Sequence, residues 1–365
     1  MKWKIKLGNF LGIDVFLHTT FLLLIVWLGV SNWVQGNNIA NAIAGVGFIL
    51  ALFGSVVLHE YGHALTARRF GVKTRDITLY PIGGVASLER IPEKPKEELM
   101  VALAGPAVNL VISAALFLLL LLTPGVQPLA AAGMTEGSFL QRLMIANLAL
   151  VGFNLIPAFP MDGGRVLRAL LAMRLEYTAA TQIAASIGQG LALVFGFIGL
   201  FSNPFLVFIA FFVWIGAQNE AKLVRMNSAL EGIPVSRAML TNFVALSPVD
   251  TLSKVVDHIL NSDQKHFPVV EEDEVVGIVS ETGLLQGLRK DGEDTVVVDV
   301  MEKSFKTADS HEMLETALNR LRECACHTMP ILHNGSLVGL VTMDNIGEFI
   351  RIQSMLNLSE SFSKR

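Results

Sequence analysis

NAIAGVGFILALFGSVVLHEYGHALTAR, residues 41 to 68, runs from Asn41 to Leu58 without a charge or an imidazole before it meets His59, Glu60 and His63. A helix needs about 20 predominantly apolar residues to cross the hydrocarbon core of a bilayer, so this segment reads as a membrane span with a polar cluster near one end. Ionisable side chains in such a span cost about 2.5 to 3.5 kcal/mol each near its centre, so three of them ask for a reason.

Five further apolar runs lie at about 15–35, 98–122, 138–157, 180–201 and 204–220, which makes six candidate spans. Lys and Arg stay on the cytoplasmic side of short loops. The linkers 36–40, 123–137 and 202–203 contain neither, whereas Lys2, Lys4, Lys6, Arg68, Arg69, Lys73, Arg75, Arg90, Lys94, Lys96, Arg165, Arg168, Arg174, Lys222 and Arg225 fall on the other side. Both termini are therefore expected in the cytoplasm. The basic opening MKWKIK has no small-residue cleavage site after the first apolar run and reads as an uncleaved span. His18 is expected at the interface, and Arg142 is expected to snorkel outward.

Composition agrees with a membrane: 52% of the 365 residues are hydrophobic, and the mean hydropathy is +0.53. Charge is unevenly spread. Residues 1–220 hold 14 basic and 11 acidic side chains, against 14 and 21 in residues 221–365, so the net charge passes from +3 to −7. Two solvents and two domains follow. A disordered chain, a disulfide scaffold and a basic nucleic-acid binder are all disfavoured. Cys324 and Cys326, the only cysteines, read as plain thiols in a reducing compartment.

Beyond Glu220, short β-branched runs alternate with amphipathic helical stretches, and the pattern repeats. Ser236-Arg-Ala-Met239 matches Val298-Asp-Val-Met301, Phe267-Pro-Val-Val270 matches Met329-Pro-Ile-Leu332, and Gly277-Ile-Val-Ser280 matches Gly339-Leu-Val-Thr342, each 62 residues apart. Each unit is too short for a good core, so the two are expected to pack into one soluble α/β domain. His258, His266, His311 and His333 fall there without ligand spacing.

His59 and His63 stand four residues apart on one helix face, about 5 to 6 Å along the axis, where both can reach one metal ion. Glu60 lies beside them, free to hold a water. This H-E-x-x-H arrangement gives zinc two ligands and a general base. Catalytic zinc takes a third protein ligand. The candidate is Asp162 in Asn154-Leu-Ile-Pro-Ala-Phe-Pro-Met-Asp-Gly-Gly-Arg165, where Pro157, Pro160, Gly163 and Gly164 break the helix. Irregular backbone at membrane depth is tolerated where protein encloses it or it lines a wet cavity. The alternative for Asp162 is a turn or helix cap on the way out of the membrane. Arg68 lies nine residues after His59, which puts the metal on the order of 13 Å inside the cytoplasmic edge.

HEYGH in a span followed by NLIPAFPMDGGR resembles the site-2 protease family of intramembrane zinc metalloproteases, over roughly residues 1–220. The resemblance implies zinc held by His59, His63 and Asp162, Glu60 activating the attacking water, and Asn154 positioning the substrate or its oxyanion. Ala104-Gly-Pro-Ala-Val-Asn109 also resembles the family, although by physics it reads as small-residue helix packing. No PDZ-like insertion is visible. The tail resembles a CBS pair, units that often hold adenosine nucleotides. The pattern expected for a ribose contact, a hydroxyl residue with an acid three positions on, is met only partly: Ser280 is followed by Gly283, and Thr342 by Asn345 with Asp344 next to it.

A peptide bond in a helix is shielded and hydrogen-bonded, so a membrane protease needs its substrate extended. Residues 77–89 alternate well enough for a strand, and Gly83 and Gly84 leave room for a second backbone. They offer an edge for strand addition, or else a simple cytoplasmic hairpin.

The expected fold is thus a multi-pass α-helical membrane domain of about six transmembrane helices followed by a soluble α/β CBS pair. The expected boundaries are 1–220 for the protease domain, 221–233 for a linker, 234–292 and 296–355 for the two CBS motifs, and 356–365 for a tail. The expected function is a zinc endopeptidase cutting in or near a transmembrane segment of a membrane-protein substrate, with an adenine nucleotide acting at the CBS pair and a homodimer through it. The expected site is a prokaryotic plasma membrane. The alternative is a CBS-regulated transporter or channel, which leaves HEYGH and Asp162 without a task.

Overall fold

The computed structural model describes residues 3–36, 38–81, 83–88, 94–122, 137–230, 232–262, 264–324 and 327–363. Cys326, Lys2 and most of the 123–137 linker lie outside them. The chain divides into two compact units, Met1–Lys222 and Leu223–Arg365.

The first unit runs β1 (Lys4–Phe10), β2 (Ile13–His18), α1 (Thr19–Gly36), α2 (Ile39–Arg69), β3 (Thr74–Tyr80), β4 (Gly83–Leu88), α3 (Pro95–Leu121), α4 (Phe139–Asn154), α5 (Asp162–Ala172), α6 (Tyr177–Phe201) and α7 (Pro204–Leu230). Among the described residues four helices, α2, α3, α6 and α7, are long and apolar enough to cross a membrane, while α1 and α4 are shorter apolar helices. The six expected apolar runs thus all appear as helices, four of them of full spanning length. Residues 15–18, expected to open the first span, instead belong to β2, where Val15 and Leu17 pair across to β3 in register with Ile77 and Leu79. At the other short helix, Pro157 and Pro160 cannot continue the i to i−4 ladder, and α4 stops at Asn154.

The four strands form one sheet in the order β1-β2-β3-β4, with β2 and β3 parallel and the outer pairs antiparallel. One face packs Ile13, Val15 and Ile77 against Tyr61 and Ala64 of α2. The ion pairs Lys4–Asp76 (3.8 Å) and Lys6–Asp14 (2.7 Å) add polar ties between its strands. The Tyr61 hydroxyl donates to the Phe10 carbonyl at 3.0 Å, which ties the sheet to the helix carrying HEYGH. Gly62 brings α2 onto α3: a Cβ there would lie 2.7 Å from the Ala104 carbonyl oxygen.

The second unit, which begins within α7, contains α8 (Leu252–Asn261), β5 (His266–Glu271), β6 (Glu274–Ser280), α9 (Glu281–Asp291), α10 (Val297–Val300), β7 (Ala308–Asp309), α11 (Leu314–Glu323), β8 (Thr328–His333), β9 (Ser336–Thr342) and α12 (Met343–Ser363). The repeat holds for the main elements, although β7 has only an isolated bridge at Leu246 as its counterpart. Helices α8 and α11, strands β5 and β8, and strands β6 and β9 begin 62 residues apart. The hairpin turns at Glu272-Asp273 and Asn334-Gly335, all at positive φ, follow the same offset. The repeats also complete one another. Met239, from the start of the first, covers Gly339 of the second, and Met301, from the start of the second, covers Gly277 of the first. Their two cores, centred on Phe267 and Met329, are filled by these crossed segments as well as by their own helices.

Candidate metal centre

Helix α2 carries His59 and His63 on one face, and both are buried. The Asp162 Oδ2 oxygen lies 3.2 Å from His59 Nε2 and 3.1 Å from His63 Nε2, and the two nitrogens are 3.0 Å apart. Around a tetrahedral zinc with bonds of about 2.0 to 2.1 Å, neighbouring ligand atoms sit about 3.3 Å from one another. The observed triangle is close to that size. Among the described residues these three are the group of His, Cys, Asp and Glu side chains that could hold a metal ion.

The electrostatics ask for a cation as well. His63 Nδ1 lies 2.7 Å from the Val101 carbonyl oxygen, which can only accept, so that nitrogen carries the proton and a neutral ring leaves its lone pair on Nε2. His59 Nδ1 meets Asn109 Oδ1 at 3.0 Å in the same sense. Two lone pairs and a carboxylate oxygen thus converge on one buried point, where an uncompensated cluster of acceptors is costly. Gly105 keeps that point open: a Cβ built on it would overlap the Nε2 atoms of both histidines.

Asp162 is delivered by the break after α4. It is the first residue of α5, and Met161 takes the N-cap position without a side-chain cap bond, so the carboxylate faces the histidines instead of capping. The cap alternative is thereby set aside. Side chains at Gly163 and Gly164 would collide with main-chain atoms of residues 155–156 and 158–159, which explains two consecutive glycines immediately after the aspartate. Glu60 is half-buried and stands next to β4: a Cβ at Gly84 would lie 2.8 Å from its Cγ and 3.3 Å from its Oε1. Gly83, at φ 143°, holds a conformation that L side chains rarely adopt. Asn154 ends α4, half-buried, and makes no hydrogen bond to the three converging residues. The hydroxyls of Ser280 and Thr342 accept from the Gly283 and Asn345 amides, at 3.1 and 3.2 Å, and Asn345 Oδ1 is buried without a partner.

The sequence reading missed what α3 contributes. Asn109, fully buried, ends the Ala104–Asn109 stretch noted for its resemblance but was read as helix packing, and Val101 acts through its main chain, which leaves no trace in residue type. Helix α5 was also unforeseen, and with it Arg168, placed in a cytoplasmic loop by its charge but fully buried in the structure. Arg142 is half-buried, with its guanidinium 5.0 Å from the Phe48 ring centroid.

Comparison with known proteins agrees with this geometry. The model of peptidase family M50 matches residues 47–136 and 126–197, and the CBS domain model matches 235–290 and 297–351. A zinc metalloprotease of Methanocaldococcus jannaschii is 36% identical over 363 residues, covering 99% of both chains. Rip3 of Mycobacterium tuberculosis is 28% identical over 387 residues, covering 100% of this chain and 97% of that protein. The solved site-2 protease from Methanocaldococcus jannaschii is 40% identical, with a TM-score of 0.45 over 60% of this chain and 95% of that one. With HEYGH and the aspartate of the second motif assembled into a triangle that could hold a metal ion, and a relative matched nearly end to end, this chain belongs to peptidase family M50 and carries a pair of CBS domains after its helical unit.

Proposed function

We propose that the chain is an intramembrane zinc endopeptidase in which His59, His63 and Asp162 hold the ion and Glu60 is the general base. The observation that carries this reading is the convergence of two Nε2 lone pairs and one carboxylate oxygen within 4.8 Å, with Glu60 beside them and not among them. Zinc supplies Lewis acidity there, polarising the scissile carbonyl and lowering the pKa of the attacking water. The Glu60 carboxylate takes the proton from that water as it attacks and returns it to the leaving amine. Asn154 turns its amide toward the substrate carbonyl once substrate is present. The decisive assay is cleavage of a single-span substrate co-reconstituted with the chain, by wild type and by Glu60→Gln. A transporter leaves the triangle and Glu60 unused, and nothing in the fold favours it.

The substrate enters as an added strand on β4. That strand lies at the end of the sheet order, and its Gly84 main chain passes against Glu60, so a peptide paired to its free edge runs beside the base. Proline at Val85 or Ser87 is expected to slow cleavage about tenfold or more, with zinc content unchanged. Wild-type rates in both would argue against the edge.

For the CBS pair, the reading is regulatory, with an adenine nucleotide held at the second repeat through Thr342 and Asn345 and a weaker contribution from Ser280. The unpartnered, buried Asn345 Oδ1 supports it, because a ribose hydroxyl would satisfy that acceptor. Isothermal titration of the full chain with ATP, ADP and AMP is expected to give heat with at least one, and silence from all three would end this part. The bilayer is a prokaryotic plasma membrane with both termini on the cytoplasmic side, and the pair serves as a contact between two copies.

A further inference from the structure

Arg168 is fully buried and lies far from any solvent that would stabilise its charge. Its Nε donates to Glu98 Oε1 at 2.7 Å, and its Nη1 donates to Glu220 Oε1 at 2.7 Å. The guanidinium also stacks over Phe159 and Tyr177, 5.0 Å from each ring centroid. Buried ion pairs are weak devices for stability, since well-packed apolar residues often serve as well, and they are better understood as fixing one arrangement among several. The partners tell which arrangement. Glu98 lies on α3, one turn before Val101, whose carbonyl orients His63, and α3 also carries Asn109, which orients His59. Arg168 lies on α5, the helix whose first residue is Asp162. Phe159 belongs to the turn that delivers Asp162, and Glu220 belongs to α7.

We propose that Arg168 is the positioning residue of the third ligand: it clamps α5 to the helix that orients both imidazoles, and so sets the distance between Asp162 and the histidine pair. The proposal rests on the ligand assignment above. Helix α3 is the common frame, reaching His59 and His63 by two hydrogen bonds and, through the Glu98–Arg168 ion pair, the helix that begins at Asp162. A planar guanidinium serves two carboxylates in fixed directions and stacks on two rings, which a lysine ammonium cannot do.

The test uses the full chain in lipid nanodiscs, with Co(II) in place of zinc and its visible spectrum as the readout, alongside zinc affinity from chelator competition. Arg168→Met is expected to weaken zinc binding by about 10- to 100-fold and to change the Co(II) spectrum, with kcat falling and KM unchanged, and Arg168→Lys should restore part of the loss. Should Arg168→Met fail to insert or fold, Glu98→Gln and Glu220→Gln, which keep an acceptor, are read in the same way, the former with the larger effect. A folded Arg168→Met with wild-type spectrum and affinity overturns the assignment. Asp162→Ala separates the two levels. If its spectrum and affinity match wild type, the ligand reading itself is wrong, whereas a changed Asp162→Ala beside an unchanged Arg168→Met removes only the role given to Arg168.

Discussion

Glu60→Gln is expected to reduce peptide-bond cleavage by about 10²- to 10⁴-fold while the protein keeps its zinc, because the substitution removes a proton acceptor and leaves every ligand in place. Glutamine is nearly isosteric, so the contact with Gly84 of β4 survives and the hairpin should stay where it is. The three converging atoms belong to His59, His63 and Asp162, and none of them is touched. Cleavage of the co-reconstituted substrate, followed by gel together with zinc analysis of the same sample, checks both halves of the expectation. Cleavage at the wild-type rate would exclude Glu60 as the base. A variant that loses its zinc would mean that Glu60 is a ligand, and the coordination would have to be redrawn.

Gly105→Ala should abolish metal binding, with affinity lower by about 100-fold or more and cleavage lost with it. The added methyl group would sit on the Nε2 atoms of both histidines, where the ion belongs. The rings cannot swing away cheaply, because their Nδ1 atoms are held by Asn109 and Val101 of the same helix as Gly105. The control lies in the stability of the metal-free protein. In the middle of a helix alanine is better than glycine by about 1 kcal/mol, but the overlap with the two imidazoles is present with or without the ion, so the metal-free variant should unfold more easily than metal-free wild type. Loss of zinc in a variant that still folds would place the effect at the site. Stoichiometric zinc and normal turnover in Gly105→Ala would show that the ion binds away from Gly105.

The parts of the fold that were legible in the sequence were those written in residue type at fixed spacing. The apolar runs, HEYGH, the proline and glycine break before Asp162, and the 62-residue repeat all have that character, and the structure assembles them as two units with His59, His63 and Asp162 converging in the first. The amino-terminal strands were harder. Lys4, Lys6 and Asp14 look like flanking charge in one dimension and become cross-strand ion pairs only after β1 and β2 fold back, with β2 then meeting β3 from 60 residues later. The burial of Arg168 was hidden for a different reason. Its charge pointed to the cytoplasmic side, which its burial leaves untouched, but nothing local reveals Glu98 and Glu220, which lie 70 and 52 residues away and neutralise it. Val101 acts through its carbonyl and leaves no mark in residue type, while Gly105, inside the Ala104–Asn109 stretch, shows in the sequence as a small residue without revealing that it clears space beside the imidazoles.

The unpaired margin of β4 bears on selectivity. A guest that docks through its amides and carbonyls is chosen less by its side chains than by how cheaply it uncoils, so the enzyme should discriminate among lipid-embedded helices by their resistance to fraying. Clients with glycine, proline or asparagine near the scissile bond would then be preferred over all-leucine ones, and peptidomimetics with one N-methylated rim should compete for the same groove.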